Sequence, residues 1–315
     1  MKVKILKKVE TATDILSFEL VDPTGRPLPG FSAGSHIDVH VGNGLVRQYS
    51  LSNDPNDTHR YVLGVLRDPN SRGGSIAMHA QDEGAEIEIG EPRNHFPLAK
   101  EAKHSILLAG GIGVTPILCM AERLTHLDAS FEFHYCTRAP ERTAFREQLM
   151  RPGMKGHVRV YFDTAPPEER IDLEAILAAP DVDKHAYVCG PSGFVDAVLS
   201  RARNAGWPES NLHREYFSAQ KGAVAGNSAF QVRLASSGKI IDVSADQTVV
   251  EALGACGVEI QTSCEQGICG TCLTRVLEGD PDHRDAYLTD EERTANDQFL
   301  PCCSRSRTPV LTLDL

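Results

Sequence analysis

Four cysteines near the C-terminus have the residue type and spacing of an iron–sulfur site. Cys264, Cys269 and Cys272 form a C-x4-C-x2-C pattern, and Cys302 follows 30 positions after Cys272. This is the plant-type spacing for a [2Fe–2S] cluster. Small residues in the loop let backbone N–H groups approach the cluster sulfurs, namely Gly267, Gly270 and Thr271. Structural zinc is the alternative, but zinc sites usually have two C-x2-C pairs and one occurs here.

The other five cysteines are predicted to have no role as ligands. Cys303 directly follows Cys302. We take Cys302 as the fourth ligand and predict that Cys303 is a small buried residue. Buried packing is also the expectation for the isolated cysteines, which are Cys119, Cys136, Cys189 and Cys256.

Two short motifs in the first third of the chain could hold a phosphate beside a flat ring. They are Arg47-Gln48-Tyr49-Ser50, at the end of a predicted strand, and Arg72-Gly73-Gly74-Ser75, at the start of a predicted helix. Either arginine can fork onto phosphate oxygens, and the glycine turn can offer backbone amides and a hydroxyl. The tyrosine can pack on the ring, and Ser50 can hydrogen-bond near its reactive nitrogen. Alone, each motif is equally compatible with a surface strand end or a turn.

A glycine-rich segment that follows a predicted strand and opens a helix could bind a dinucleotide. It contains Gly110, Gly111, Gly113, Val114 and Thr115. Glycines allow the backbone to approach a pyrophosphate, and a helix N-terminus attracts negative charge. The segment departs from the strict G-x-G-x-x-G fingerprint, so an ordinary glycine-rich turn is the alternative.

Further candidates end neighbouring strands of the same predicted sheet. Cys189, Gly190 and Pro191 follow one strand and open a helix, and ligands bind beyond the carboxyl ends of strands in open α/β sheets. Arg138 could face either a cofactor phosphate or a solvent-exposed carboxylate. Asp163 could bind the adenine ribose of NADH, whereas Arg138, Arg142 and Arg146 could suit the extra phosphate of NADPH.

The elements that must position these residues fall into three segments. Residues 1 to about 100 show short alternating strands separated by turns, which indicates an antiparallel barrel. Residues 105–205 alternate strands with helices, including a helix predicted at 142–149, which indicates a parallel α/β sheet. Residues 218–229 are small and polar, as in a linker. The predicted domains are 1–102, 103–222 and 230–315, with a linker at 223–229.

Composition limits the function classes. The 315 residues carry a net charge of −11, which argues against a nucleic-acid binder because such proteins need a basic face. Residues 230–315 contain 14 acidic and 7 basic residues, so this segment holds most of the net negative charge. No apolar stretch is long enough to cross a bilayer, and the N-terminal segment reads as an edge strand instead of a signal peptide. We therefore expect a cytoplasmic protein without nucleic-acid or membrane partners.

Three blocks carry a resemblance to a known family: CEQGICGTC, DHRDAYLTDEE and PCCSR. They resemble the C-terminal ferredoxin domain of the phthalate dioxygenase reductase family, and the resemblance covers essentially the whole chain. It implies a flavin-binding barrel, a nucleotide-binding α/β domain and a β-grasp [2Fe–2S] domain. The RGGS form resembles the FMN-binding branch, which implies FMN instead of FAD. It also implies flavin contacts from the main chain at Gly64, Val65 and Leu66 and from the Phe217 ring, with Cys189 near the nicotinamide.

The same resemblance implies a monomeric reductase that passes electrons from NADH through FMN and the cluster to a Rieske-type oxygenase. The oxygenase would act on an aromatic carboxylate, which this chain itself does not bind. Other functions stay open at this point. They are a reductase for a cytochrome P450 or a carnitine-type oxygenase, a non-catalytic redox sensor, and a scaffold with a degenerate cofactor site.

Overall fold

The computed structural model describes residues 1–42, 44–69, 71, 73–217 and 227–315. The chain divides into two compact units, Met1–Phe217 and Ser218–Leu315. Of the predicted linker at 223–229, residues 223–226 lie outside the described residues. In the described part of the chain, no helix combines the length and the apolar character that crossing a membrane requires.

The first sheet of unit 1 is an antiparallel barrel. Its strands are β1 (Lys2–Ala12), β2 (Ile15–Val21), β3 (Ser35–His40), β4 (Val46–Ser50), β5 (Tyr61–Leu66), β6 (Glu86–Ile89) and β7 (Arg93–Asn94), with helix α1 (Gly74–His79) after β5. The order is β4-β3-β6-β1-β2-β5, and a bridge between Leu51 and Leu63 joins the two ends. Alternate residues such as Val3 and Ile5 point into the core.

The prediction that the N-terminal strand lies at an edge is wrong. Strand β1 pairs with β2 on one side and with β6 on the other, so it lies inside the sheet. Its exposed lysines report only which face is turned outward, because the side chains of a strand alternate between faces whether or not both edges are paired.

The second sheet of unit 1 is parallel. Its strands are β8 (His104–Gly110), β9 (Ser130–Thr137), β10 (Val158–Phe162), β11 (Lys184–Gly190) and β12 (Leu212–Tyr216). The helices are α2 (Val114–His126), α3 (Arg146–Met150), α4 (Leu173–Leu177) and α5 (Ser192–Asn204). The order β10-β9-β8-β11-β12 puts β8 at the centre with β11 beside it, and both are buried along nearly their whole length. Because the strand order reverses between β8 and β11, their carboxyl ends form the expected ligand crevice.

The helix predicted at 142–149 starts later than expected. Residues 140–142 form a 3-10 turn, and α3 begins at Arg146. The preceding residue, Phe145, is buried in the left-handed conformation with φ of 59°. That conformation interrupts a right-handed helix, and it is rare for an aromatic residue.

Unit 2 has a β-grasp arrangement in which a mixed sheet packs against a helix. Its strands are β13 (Phe230–Leu234), β14 (Ile240–Val243), β15 (Thr274–Glu278), β16 (Pro281–Asp282), β17 (Gln298–Phe299), β18 (Arg305–Ser306) and β19 (Val310–Leu313), and its helices are α6 (Val249–Ala255) and α7 (Asp290–Ala295). The main sheet has the order β14-β13-β19-β15-β17, with β13 and β19 parallel. Both helices begin with a capping box, at Thr248 and Thr289.

Candidate cofactor sites

The four predicted cluster ligands lie in unit 2 as two thiol pairs. The side chains of Cys264 and Cys269 act most strongly on each other, and so do those of Cys272 and Cys302, while Cys303 also acts on Cys302. Three of them are buried and Cys269 is half-buried. Within the described residues, no three His, Cys, Asp or Glu side chains converge on one metal-ion position. This arrangement fits a two-iron cluster, which takes two protein ligands on each iron, better than a single zinc ion with four.

One sulfur of the first pair, that of Cys269, is favoured in the ionised form that metal binding needs. The hydrogen bond with Cys264 lowers the pKa of the Cys269 thiol, and the Thr271 hydroxyl, 3.2 Å from that sulfur, acts in the same direction. The backbone N–H of Gln266 donates to Cys264 Sγ at 3.3 Å. Metal ligation requires thiolates, and the contact that lowers the pKa of Cys269 raises that of Cys264, so the loop favours one ionised sulfur of this pair.

Neighbouring protein atoms also require glycines in this loop. Gly267 and Gly270 have φ of 70° and 71°. A Cβ at Gly267 would overlap Cys303 Sγ, and a Cβ at Gly270 would overlap the Tyr287 ring. The loop is therefore covered by protein on the sides where the glycines lie.

Three of the predictions for the remaining cysteines are wrong. Cys303 is half-buried, and its Sγ occupies the space beside Gly267. Cys136 is also half-buried, and Cys256 is exposed at the end of α6. Only Cys119 and Cys189 are buried as expected.

The structure brings together Arg47 and the glycine turn before α1. A Cβ at Gly74 would overlap the Arg47 side chain, so the arginine passes directly over this turn. Gly73 has φ of 98°, a conformation that favours glycine. Since α1 has only six residues, its dipole adds little, and the guanidinium and backbone amides are the groups available to a phosphate. Arg72 lies outside the described residues, and its role stays a prediction.

Other side chains of the Arg47–Ser50 and Arg72–Ser75 motifs make contacts within the barrel segment. Gln48 Nε2 donates to Asp38 Oδ1 at 3.0 Å. Tyr49 is half-buried against the barrel core, and burial raises its pKa to about 12. Ser75 Oγ accepts the backbone N–H of Asp68 at 3.2 Å. The Gln48 and Ser75 side chains are thus engaged within the barrel segment.

Gly64 of β5 lies where the barrel packs against the parallel-sheet layer of the same unit. A Cβ at Gly64 would lie 2.6 Å from Thr115 Cγ2 and 2.9 Å from the Phe145 ring. Val65 points into the barrel core, and Leu66 is half-buried. The glycine is required here by this close packing.

Three of the glycines at the dinucleotide crevice lie too close to neighbouring atoms to carry a side chain. A Cβ at Gly113 would overlap the Cys189 carbonyl, and a Cβ at Gly190 would lie 2.9 Å from Gly110 Cα. Gly111, with φ of 53°, has no atom within 4 Å of its Cβ position. Three glycines therefore let β8 and β11 approach, whereas Gly111 leaves the backbone open to a ligand.

The residues that flank these glycines contribute backbone more than side chains. Val114 and Thr115 are buried, and Thr115 Oγ1 donates to Ile112 O at 3.2 Å. Pro191 caps α5 and lies against Gly110. Any contact of Val114 and Thr115 with a phosphate would come from their amides.

Opposite charges occur together where β9 and β10 end. Arg138 follows β9 and Asp163 follows β10, and both are exposed. The Arg142 guanidinium pairs with Asp14 at 2.9 Å, so it is already engaged by a carboxylate. This pairing weakens the interpretation of Arg142 as a ligand for a ribose phosphate.

A carboxyl group that the sequence did not indicate lies between two predicted site residues. Ser50 Oγ donates to Glu215 Oε2 at 3.4 Å, and Glu215 lies beside Cys189 in the pairing of β12 with β11. Burial raises the pKa of Glu215 to about 8, against the smaller effect of the Ser50 hydrogen bond. Burial also raises the pKa of Cys189, and Glu215 adds to this. Only the pairing of β11 with β12 reveals Glu215, because its local sequence, LHREY, shows no signal.

Comparison with known proteins decides the family. Residues 232–307 match the family model of the 2Fe-2S iron-sulfur cluster binding domain. The chain is 52% identical over 313 residues to the vanillate O-demethylase oxidoreductase of Pseudomonas putida, covering 99% of this chain and 98% of that protein. The solved structure of a phthalate dioxygenase reductase matches with a TM-score of 0.80 at 41% identity, covering 100% of this chain and 98% of that one. The chain belongs to the phthalate dioxygenase reductase family.

As a member of the phthalate dioxygenase reductase family, the chain is an electron-transfer oxidoreductase with a [2Fe–2S] domain. The predicted combination of antiparallel barrel, parallel α/β sheet and β-grasp domain is confirmed. The same architecture occurs as part of a longer chain. An intact type IV self-sufficient cytochrome P450 monooxygenase matches with a TM-score of 0.81 at 40% identity, covering 100% of this chain and 41% of that one.

Proposed function

We propose that the chain is the NADH-dependent reductase component of a Rieske-type oxygenase that demethylates vanillate or a related methoxybenzoate. The observation that carries the proposal is the 52% identity along nearly the whole chain to a vanillate O-demethylase oxidoreductase. The two thiol pairs of unit 2 and the Ser50–Glu215–Cys189 junction of unit 1 supply the sites that such a reductase needs.

The proposed division of labour follows the sequence. Residues 1–102 bind FMN, residues 103–222 bind NADH, residues 223–229 connect the units, and residues 230–315 hold the cluster. When bound, FMN would accept a two-electron hydride and supply the single electrons that a [2Fe–2S] cluster takes. FMN has one phosphate and no adenine, which suits the compact turn formed by Arg47, Gly73 and Gly74.

The residues of unit 1 orient the reactants and exclude charge from the reaction centre. Arg47 would pair with the flavin phosphate, and the open backbone at Gly111 would leave room for the pyrophosphate of NADH. Since the pKa of Glu215 is about 8, this group holds its proton at neutral pH, next to Ser50 Oγ. The buried Cys189 thiol is likewise neutral, so neither of these two side chains would place a negative charge beside the bound cofactors.

Two observations support NADH as the donor. Asp163 lies exposed at the end of β10, where a carboxylate can accept hydrogen bonds from the adenine ribose. The Arg142 guanidinium pairs with Asp14 at 2.9 Å, which makes it less available to a ribose phosphate. A cytoplasmic monomer completes the proposal, and a reducing compartment favours metal ligation by the clustered cysteines over disulfides.

The test combines the purified full chain with purified vanillate-demethylating oxygenase. We expect bound FMN by mass spectrometry and flavin and iron–sulfur absorbance bands. NADH consumption should be matched by formaldehyde release only when both proteins and vanillate are present. A colourless protein, or NADH oxidation that never drives demethylation, would contradict the proposal.

A cytochrome P450 acceptor is the second candidate, because the same architecture occurs within a self-sufficient P450 monooxygenase. The distinguishing arm replaces the Rieske oxygenase with a P450 haem domain in the same assay. Faster turnover with the haem domain would favour this candidate. Size-exclusion chromatography separately tests the proposal that the protein is a monomer.

A further inference from the structure

A buried carboxylate in unit 2, Asp285, connects to the segment that carries the fourth cysteine. Its side chain has no exposed surface. Asp285 Oδ2 accepts the backbone N–H groups of Tyr287 and Leu288 at 3.1 and 2.8 Å. Asp285 Oδ1 accepts the Ser304 hydroxyl at 3.4 Å, and Ser304 lies two positions after Cys302.

The main chain beside Asp285 also closes on the loop that carries the other three cysteines. Ala286 N donates to Gly267 O at 2.9 Å. The Cβ position of Gly267 lies 3.0 Å from Asp285 Cα, and the Tyr287 ring covers Gly270. Residues 285–287 therefore contact both glycines of the ligand loop, while the Asp285 carboxylate holds the distant cysteine segment.

The charge of Asp285 is only partly balanced. Arg293 of α7 donates from Nη2 to Asp285 O at 2.5 Å, and that nitrogen lies 3.7 Å from Oδ2. His283 Nδ1 lies 3.8 Å from Oδ1, beyond hydrogen-bond distance. The carboxylate is thus fixed by neutral donors, with the Arg293 guanidinium at longer range.

We propose that Asp285 is a positioning residue of the [2Fe–2S] site, which preassembles the two cysteine segments and lowers the reduction potential of the cluster. The inference rests on the cluster site of the proposed function. Reduction adds an electron, so a negative charge held in a region of low dielectric beside the site disfavours the reduced form. Groups that orient metal ligands without touching the metal affect affinity and potential in this way.

The first experiment compares cluster midpoint potentials of the full-length protein by spectroelectrochemical titration. Asp285→Asn keeps an acceptor oxygen for the backbone N–H groups but removes the charge, and we expect a more positive potential. Asp282→Asn is the matched control. It removes the same charge from a partly exposed carboxylate that pairs with Arg284 at 2.6 Å, and we expect no shift. An unchanged potential in Asp285→Asn, or an equal shift in both variants, would overturn the proposal.

The second variant, Arg293→Gln, keeps the proposal testable if Asp285→Asn fails to retain its cluster. Loss of the cation leaves the Asp285 charge less balanced, so we expect a more negative potential. A purely structural role for this pair predicts no opposite shifts in the two variants. A wild-type potential in Arg293→Gln would therefore overturn the electrostatic part of the proposal.

A third measurement addresses preassembly through the rate of iron release to a chelator. We expect Asp285→Ala to release iron at least ten times faster than wild type, with Asp285→Asn between them. Release at the wild-type rate in Asp285→Ala would overturn preassembly. If the wild-type protein itself holds no iron, the proposed function fails, whereas a normal wild type with indifferent variants contradicts only the role of Asp285.

Discussion

The chemistry of a single side chain depends here on what packs around it. Glu215 has an ordinary residue type for a surface strand, yet it is half-buried between Ser50 and Cys189, and burial raises its pKa to about 8. A protonated carboxyl at neutral pH can take part in hydrogen bonds without adding charge.

Glu215→Gln should stabilise unit 1 increasingly as the pH rises. In the wild type, the folded state keeps a proton that the unfolded state loses above its lower pKa, so stability falls between about pH 4.5 and pH 8. Glutamine carries no charge and avoids this loss. Thermal unfolding midpoints at pH 5 to 9 should show a gap between variant and wild type that widens up to pH 8.

Glu209→Gln is the control for this pH series. The hydrogen bond from Arg203 lowers the pKa of Glu209, so its contribution is lost as the pH falls and not as it rises. The Glu209 variant should show no widening gap in stability between pH 5 and pH 8. A constant difference in unfolding midpoint between Glu215→Gln and wild type across the whole pH range would contradict the raised pKa of Glu215.

At the scale of elements, the central strands of the parallel sheet meet through glycine backbones. Gly113, Gly190 and Gly110 hold the turn after β8 against the end of β11. The crevice for the dinucleotide therefore depends on main-chain contact between two elements. A methyl group at this contact has nowhere to move, because the atoms facing it belong to a buried strand.

Gly113→Ala is expected to destabilise unit 1 by a few kcal/mol and to weaken NADH binding, because its Cβ would overlap the Cys189 carbonyl. Gly193→Ala is the matched control in α5, where no atom lies within 4 Å of the added Cβ. Alanine within a helix is favoured over glycine by up to about 1 kcal/mol. Urea denaturation and NADH titration of both variants test the contrast, and equal behaviour would contradict it.

At the scale of the whole molecule, the acidic excess is concentrated in the segment that carries the cluster. Residues 230–315 contain 14 acidic and 7 basic residues. If this segment meets a basic patch on the oxygenase, the encounter depends on unscreened charge. Salt should then act on the step between proteins and much less on the steps within the chain.

We expect turnover with the oxygenase to fall several-fold between 20 and 300 mM NaCl, at subsaturating oxygenase concentration. Reduction of the protein by NADH alone, followed by stopped-flow absorbance, is the internal control and should change far less. Turnover that is indifferent to salt would contradict the electrostatic encounter.

Unit 2 should fold without unit 1. Its core is formed by its own strands and by α6, from residues such as Val232, Leu253 and Leu311. We expect a fragment of residues 227–315 to bind iron and sulfide and to show the absorbance of a [2Fe–2S] cluster. A fragment that stays unfolded by circular dichroism would contradict the division into two independent units.

The parts of this protein that could be predicted from sequence are those fixed by local spacing. The four cysteines and the alternation of strands and helices depend on residues close together in the chain. Glu215 and Asp285 depend on pairing and packing between distant segments, so their local sequences carry no sign of burial. Strand β1 shows the same limit, since alternation gives the face of a strand but not its neighbours.

The pairing of Cys272 with Cys302 has a consequence for the life of the protein in a cell. When iron joins Cys272 to Cys302, it links two positions that are 30 residues apart. A disulfide across a loop of that length stabilises the folded state by about 3–4 kcal/mol, because it lowers the entropy of the unfolded chain. That amount is a large fraction of the stability of a small domain. Iron starvation would therefore lower the quantity of folded reductase, through unfolding and proteolysis, as well as the activity of each molecule.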